Sequence, residues 1–244
     1  MLVYVLALGS PSFPIGPAGY RAWTATFEPA TDYGIEYVPA GPLFIHQLPH
    51  LSIDLRGIRD ERNRELGFDY FENSRRATLV QREYAIDNPH GFSHYSENAW
   101  GLTASNGPGP AVRVIDGVRR EFFGYLARGA PHGPDDGTLA PWAVVASLPF
   151  APEVVCDAIR HAIERLELKN RHAPGFDASY NRTFPDPEGG DRGWVERWKL
   201  GLNEGPIIAM IENHLGGKPW ALSRGCPYIA EGLRRAGFTG GWLR

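Results

Sequence analysis

Proline and glycine stand densely along this chain and divide it into elements separated by long loops. Among 244 residues there are 29 Gly and 21 Pro, and they fall between apolar stretches with no repeating period. Proline removes an amide donor and clashes with the preceding turn, so it ends or kinks helices. Gly and Pro clusters mark turns. A chain punctuated this way is built from short elements joined by long ordered loops, and loops held on a scaffold are where binding groups collect. Residues 9–50 carry Pro11, Pro14, Pro17, Pro29, Pro39, Pro42 and Pro49 and read as loop. A second loop region, rich in Asp, Pro, Gly and Trp, covers 170–203.

The segments between these breaks read mainly as helices. Met1 to Leu8 is apolar and is stopped by Gly9, Pro11 and Pro14, as the last two turns of a buried helix whose start lies upstream. No basic residue precedes it and the apolar run is short, so it is not read as a signal peptide. Leu51, Leu55, Ile58 and Leu66 predict a helix over 51–66, stopped by Gly67. Asp69 caps a helix predicted over 70–87, which Asn88-Pro89 ends. A shorter helix is expected over 97–105. The run 111–127, with Asp116-Gly117 at its centre, reads as a β-hairpin. Residues 139–148 read as a buried helix, and Pro152 opens another over 152–169. Further helices follow Pro206 and Pro227. This reading gives six or seven helices and one small hairpin, hence an all-α architecture of antiparallel helical hairpins.

Composition excludes several function classes. The net charge is -3 and the basic residues are scattered, so neither nucleic acid nor an anionic membrane is an expected partner. No stretch is long and apolar enough to span a membrane. There is no GxGxxG or P-loop. His46, His50 and His94 lack metal-ligand spacing, and no metal or organic cofactor is expected. Cys156 and Cys226 are too few for a disulfide framework and are expected as buried thiols. By contrast, 7 Trp, 10 Tyr and 12 Phe supply flat apolar faces of the kind that lie against a sugar ring, although most such rings serve a core.

Aromatic and polar residues are interleaved in a series of short stretches. They are FIHQ (44–47), SIDLR (52–56), DYFENSRR (69–76), SENAWGLTASN (96–106), DDGTLA (135–140), GFDASYN (175–181) and GLNEGPIIAMIEN (201–213). In this order they resemble the glycoamylase-like (putative glucoamylase) domain family. That family is related to bacterial endo-β-1,2-glucanases and to the matching domain of cyclic β-1,2-glucan synthases. The resemblance runs from LALGSP at 6–11 to GLRRAGF at 232–238, which makes residues 1–244 one glycoamylase-like domain.

The resemblance implies an (α/α)6 barrel, incomplete at the N-terminus here, with a sugar cleft in the loops at one end. It implies inverting, two-carboxylate hydrolysis of a β-linked glucan, β-1,2-glucan above all, with an oligo- or polysaccharide as partner. Transglycosylation also occurs among such proteins. A periplasmic or secreted location is implied for full-length relatives. In the family an Asn-Glu pair precedes the helix matching residues 1–8, and its Glu is the candidate general acid; that position falls before Met1. The base position matches Asp177, whose other reading is a loop aspartate capping a turn. The expected sugar-binding set is Glu97, Trp100, Asp136, Asp54, Arg56, Tyr70, Arg75 and His46. Three of these have a plainer reading: Glu97 at a helix N-terminus, Asp136 with Asp135 in a turn, and Arg75 or Arg76 in a salt bridge. Asn203-Glu204 stands where relatives are expected to carry Asp-Gln. Asp177, Glu97, Trp100 and Asp136 are expected to face one cavity. The rival readings are a carbohydrate-binding remnant without its acid and a fragment of a longer polypeptide. The fragment reading leaves Leu2, Val3, Val5 and Leu6 without packing on one side and would make the chain prone to self-association.

Overall fold

The computed structural model describes residues 1–169 and 174–244. In chain order it begins with α1 (Leu2–Leu8), α2 (Ala18–Thr24), the hairpin β1 (Ala30–Asp32) and β2 (Ile35–Tyr37), then α3 (Leu43–Gln47) and a 3-10 turn at Leu48–Leu51. There follow β3 (Ile58–Arg59), α4 (Glu61–Leu66), α5 (Tyr70–Asp87), β4 (Ala104–Ser105), the hairpin β5 (Ala111–Ile115) and β6 (Val118–Phe122), and β7 (Leu126–Ala127). The remainder is α6 (Pro141–Val145), α7 (Pro152–Glu164), β8 (Ser179–Asn181), β9 (Trp194–Glu196), α8 (Gly201–Leu215), α9 (Lys218–Arg224), α10 (Pro227–Arg235) and β10 (Thr239–Gly240). All strand pairs are antiparallel and two-stranded: β1–β2, β3–β10, β4–β7, β5–β6 and β8–β9. The chain is thus helix-rich with small local sheets.

Capping and periodicity explain the longest helices. Asp69 accepts from the Glu72 amide and opens α5, and Asn88, in the left-handed conformation, closes it. Helix α7 starts on Pro152 and buries Val155, Ala158 and Ala162. Two large apolar clusters, with a small third one of Tyr37, Ala77 and Val80, form the core. The larger gathers Trp100, Trp142, Phe150, Val155, Tyr180 and Met210 around α6, α7 and α8. The other joins the two ends of the chain through Val5, Leu8, Tyr20, Ile53, Leu55, Leu233 and Phe238. There α1 and α10 cross closely: a Cβ on Gly232 would lie 2.0 Å from the Val5 carbonyl oxygen, and one on Gly9 would lie 1.9 Å from that of Tyr228.

Several sequence expectations are corrected. Residues 9–50 hold α2 and α3 as well as loop, and α9 was not anticipated, so ten α-helices stand among the described residues. The helix expected over 51–66 breaks into a 3-10 end, β3 and α4, because residues 58–59 pair with β10 and Asp60 caps a new helix. No helix forms over 97–105; Gly101 sits at φ +115 there, outside helical space, and Ala104–Ser105 pairs with β7. The buried segment 139–148 is helical over Pro141–Val145. Helix α7 ends at Glu164 rather than at 169, and α8 begins before Pro206, at Gly201. The loop 170–203 contains β8 and β9, and its residues 170–173 lie outside the described residues. Neither thiol is buried: Cys156 is exposed and Cys226 is half-buried. Cys156 follows Val155 on α7 and misses that helix's buried stripe. Val5 is fully buried against the second cluster, whereas Val3 (78%) and Leu6 (53%) are exposed.

Candidate functional site: an acidic, tryptophan-lined cleft

The β8–β9 ribbon organises the site. Ser179 is paired with Glu196, Tyr180 with Val195 and Asn181 with Trp194. Asn181, fully buried, fixes the ribbon to the preceding loop by donating to the Asp136 carbonyl (2.9 Å) and to Thr138 Oγ1 (3.0 Å). Its Oδ1 accepts from the Thr183 and Phe184 amides, which turns the chain outward into the loop between the strands. Just before β8, the Asp177 amide bonds to the Leu168 carbonyl and the Ala178 amide to the Glu196 carbonyl.

This framework bounds a cleft of about 570 Å³ lined by Asp177, Asp186, Glu188, Asp191, Glu196, Trp194 and Trp198, among others. Asp177 Oδ1 accepts from Lys199 Nζ at 2.9 Å, and its side chain is 15% exposed. Trp198 is 71% exposed. Desolvation lowers the pKa of Arg182, a further wall residue. On the other side of the Asp177–Ala178 step lies a groove of about 130 Å³, walled by Asn106, Tyr125, Trp142, Ala178, Leu202 and Asn203. Asn106 Nδ2, 3.3 Å from Glu196 Oε2, joins the two walls. The indole N–H of Trp142 has no acceptor among the described residues. Carboxylates, the arginines Arg192 and Arg197 that pair with Glu167 and Glu188, an amide and the exposed Trp198 indole can hydrogen-bond to and stack against a polyhydroxylated ligand.

The residues singled out by sequence do not gather in one place. Asp177 alone of its expected foursome lines the cleft. Asp136 is 1% exposed, and both its oxygens are taken by Arg128, at 2.7 Å to Nε and 2.8 Å to the terminal nitrogen. Desolvation acts to raise its pKa, but the hydrogen bond and charge of Arg128 outweigh this and lower it. Asp135 accepts from Tyr84, Tyr95 and the Gly137 amide, while desolvation raises its pKa. Trp100 is 2% exposed and lines a gap of only 10 Å³ with Phe176 and Tyr180. Glu97 is exposed and lies on no helix. Asp54 and Arg56 pair with each other (2.8 Å), Arg224 also reaches Asp54 (3.3 Å), and Arg56 lies 4.2 Å over the Trp220 ring. Arg75 and Arg76 both approach Glu72, at 3.7 and 2.9 Å. Tyr70 donates to Asp60 (2.9 Å). His46 is buried beside Asn73, and desolvation lowers its pKa to about 4.

Sequence reading missed Glu196, Trp194, Trp198 and Lys199. The signal was present in the Asp- and Trp-rich composition of 170–203, but spacing alone could not show which of those side chains the ribbon turns toward Asp177. Among the described residues, no group of three or more His, Cys, Asp or Glu is placed to hold a metal ion, and no helix is long and apolar enough to cross a membrane.

Comparison with known proteins gives consistent relatives. The model of the glycoamylase family, described as putative glucoamylase, matches residues 1–227. The crystal structure of a putative glucoamylase from Bacteroides uniformis superposes with a TM-score of 0.82 at 33% identity, over 100% of this chain and 54% of that one. The endo-β-1,2-glucanase from Chitinophaga pinensis, in complex with sophorotriose and glucose, gives a TM-score of 0.82 at 27% identity, over 100% of this chain and 55% of that one. An exo β-1,2-glucooligosaccharide sophorohydrolase from Parabacteroides distasonis is 25% identical over 260 residues, 96% of this chain and 32% of that protein. The chain therefore spans about half the length of the solved relatives and about a third of that enzyme. With the family model matching residues 1–227 of 244, the chain belongs to the glycoamylase family.

Proposed function

We propose that residues 1–244 form one domain, part of an (α/α)6 ring, that acts on a β-linked glucan, with β-1,2-glucan as the favoured polymer. The observation that carries this reading is the convergence of Asp177 with Trp194, Trp198 and a set of further carboxylates in one open cleft. Indole faces take the C–H face of a pyranose, and the acids and Asn106 take its hydroxyls. Relatives named for β-1,2-glucan hydrolysis support the linkage.

In this reading hydrolysis is inverting. A general base activates water on one face of the sugar, and an acid protonates the leaving oxygen on the other. Asp177 is the base: Lys199 holds Oδ1 and so orients the carboxylate without enclosing it. The same ion pair favours a second reading, in which the cleft binds glucan without cleaving it.

Release of reducing sugar from β-1,2-glucan tests the proposal. Asp177→Asn is expected to lower the rate by a factor on the order of a hundred or more while sugar binding persists. Hydrolysis of starch with none of β-1,2-glucan would refute the linkage, and an active Asp177→Asn variant would refute the base. Glucan binding without turnover would support the second reading.

A further inference from the structure

Asp177 and Lys199 stand 22 positions apart in the chain, and a closed circuit of contacts decides where they meet. Asp177 is followed by Ala178, whose amide donates to the Glu196 carbonyl at 2.8 Å. From Glu196 the chain runs through Arg197 and Trp198 to Lys199, whose ammonium returns to Asp177 Oδ1 at 2.9 Å. The circuit is only as rigid as this short stretch, 196–199. It leaves the ribbon at Glu196, the last residue of β9, and reaches α8 at Gly201. Residues 197–199 belong to no helix or strand, so whatever fixes them also fixes Lys199 against the base.

The Glu196 side chain is placed to do so. Its Oε1 accepts from the Trp198 amide (3.3 Å), which curls the chain back over residue 197, and its Oε2 accepts from Asn106 Nδ2 (3.3 Å). An ionised acceptor gains more from each such bond than a neutral one. Asn106 is itself held in place. Its carbonyl accepts from Ser179 Oγ at 2.7 Å, and Ser179 is the residue opposite Glu196 in the β8–β9 ribbon. The carbonyl of the preceding residue, Ser105, accepts from the buried Arg128 at 2.7 Å. The Asn106 amide therefore meets Glu196 from a wall that the core fixes.

We propose that Glu196, braced by Asn106, is a positioning residue for Asp177: it sets the 196–199 turn so that Lys199 holds the carboxylate at the cleft wall. This rests on the reading of Asp177 as the base. What matters in the brace is its polarity, an amide N–H facing a carboxylate oxygen.

Reversing that polarity in the full chain is the test. Asn106→Asp sets two carboxylates against each other, and Glu196→Ala removes the brace. Asn106→Asp combined with Glu196→Gln again faces a donor with an acceptor and keeps an oxygen for the Trp198 amide. The first readout is the Lys199 ammonium proton resonance, which ion pairing protects from exchange with water. It should be visible in the parent, lost in Asn106→Asp and in Glu196→Ala, and regained in the double variant. The second is turnover of β-1,2-glucan: kcat should fall by about tenfold or more in the two impaired variants, with KM changed by less than about twofold, and recover in the double variant. The proposal is overturned if the parent lacks the resonance, if Asn106→Asp and Glu196→Ala keep it, or if the double variant stays as impaired as Asn106→Asp. It is overturned as well if kcat is unchanged where the resonance is lost. A parent that turns over no glucan would instead refute Asp177 as the base, and the ammonium resonance would still decide whether Glu196 sets the ion pair.

Discussion

Arg128 shows what a fully enclosed charge requires. Its side chain is 0% exposed and so is that of Asp136. Beyond the two bonds to Asp136, its guanidinium donates to the carbonyls of Ser105 (2.7 Å), Phe123 (3.1 Å) and Gly124 (3.1 Å). One arginine thus closes β4, the end of β6 and the aspartate loop on each other. Removing one partner of such a pair strands the other in low dielectric, at a cost of about 3–5 kcal/mol. Arg128→Met should show a loss of this size in guanidinium denaturation. Arg128→Lys should recover little, since a single ammonium cannot reproduce the planar fork. The same pair explains why the sequence misled at this position. An Asp in a Gly-rich loop looks available to a sugar, and nothing local shows that an arginine eight residues earlier folds back onto both oxygens. Asp177 is singled out by the resemblance of GFDASYN to a family rather than by its local chemistry; in the structure Phe176 and Tyr180 anchor in the core and the carboxylate lies at the wall of the cleft.

Helices and strands were legible where their signals are local. The caps at Asp69 and Asn88, the proline at the start of α7 and the turn residues of the β5–β6 hairpin each act within a few positions. Elements defined by distant partners were not. Ile58 belongs to a strand only because Gly240, near the other end of the chain, pairs with it. Nor does sequence reveal that α1 and α10 touch through backbone at Gly9 and Gly232. That contact yields a prediction with an internal control. Gly232→Ala puts a methyl 2.0 Å from the Val5 carbonyl oxygen, so the helices must separate and loosen Val5, Leu8 and Leu233. A loss of about 1–3 kcal/mol is expected, which lowers Tm by about 2–4 °C per kcal/mol at this chain length. At Gly201, the first residue of α8, an added methyl would meet nothing within 4 Å; Gly201→Ala should leave Tm unchanged or raise it, by up to about 1 kcal/mol of helix propensity. Thermal melts of both variants separate close helix contact from backbone entropy.

At the scale of the molecule, the turn from His46 to Leu51 ties distant parts together. Ser74 on α5 bonds to it from one side. From the other, Trp220 Nε1 donates to the His50 carbonyl at 2.6 Å and Asn213 Nδ2 to the Leu51 carbonyl at 3.1 Å. The ring of His50 packs edge-on against Phe71 and Phe150, with centroids 5.8 and 5.0 Å away. Two buried imidazoles at such a junction make stability depend on pH. Desolvation holds the folded-state pKa of His46 near 4 and of His50 near 3, while the unfolded chain protonates near the ordinary histidine value of about 6.5. The folded pKa values are depressed, so these residues contribute their full stability above about pH 6.5. As pH falls below that, the unfolded state takes up protons that the native state refuses, and the contribution declines until the folded values are reached. Each such proton steepens the decline by about 1.4 kcal/mol per pH unit. Asp136, whose folded pKa is also lowered, adds to the decline only below the ordinary aspartate value of about 4. Urea midpoints should therefore be level from about pH 8 to about pH 7 and fall steadily between about pH 6 and about pH 4. His50→Gln, which cannot be protonated, should be less stable at neutral pH yet show a visibly shallower fall. A profile as steep in that variant as in the parent would mean that the junction histidines charge without unfolding the protein, and that acid lability originates elsewhere.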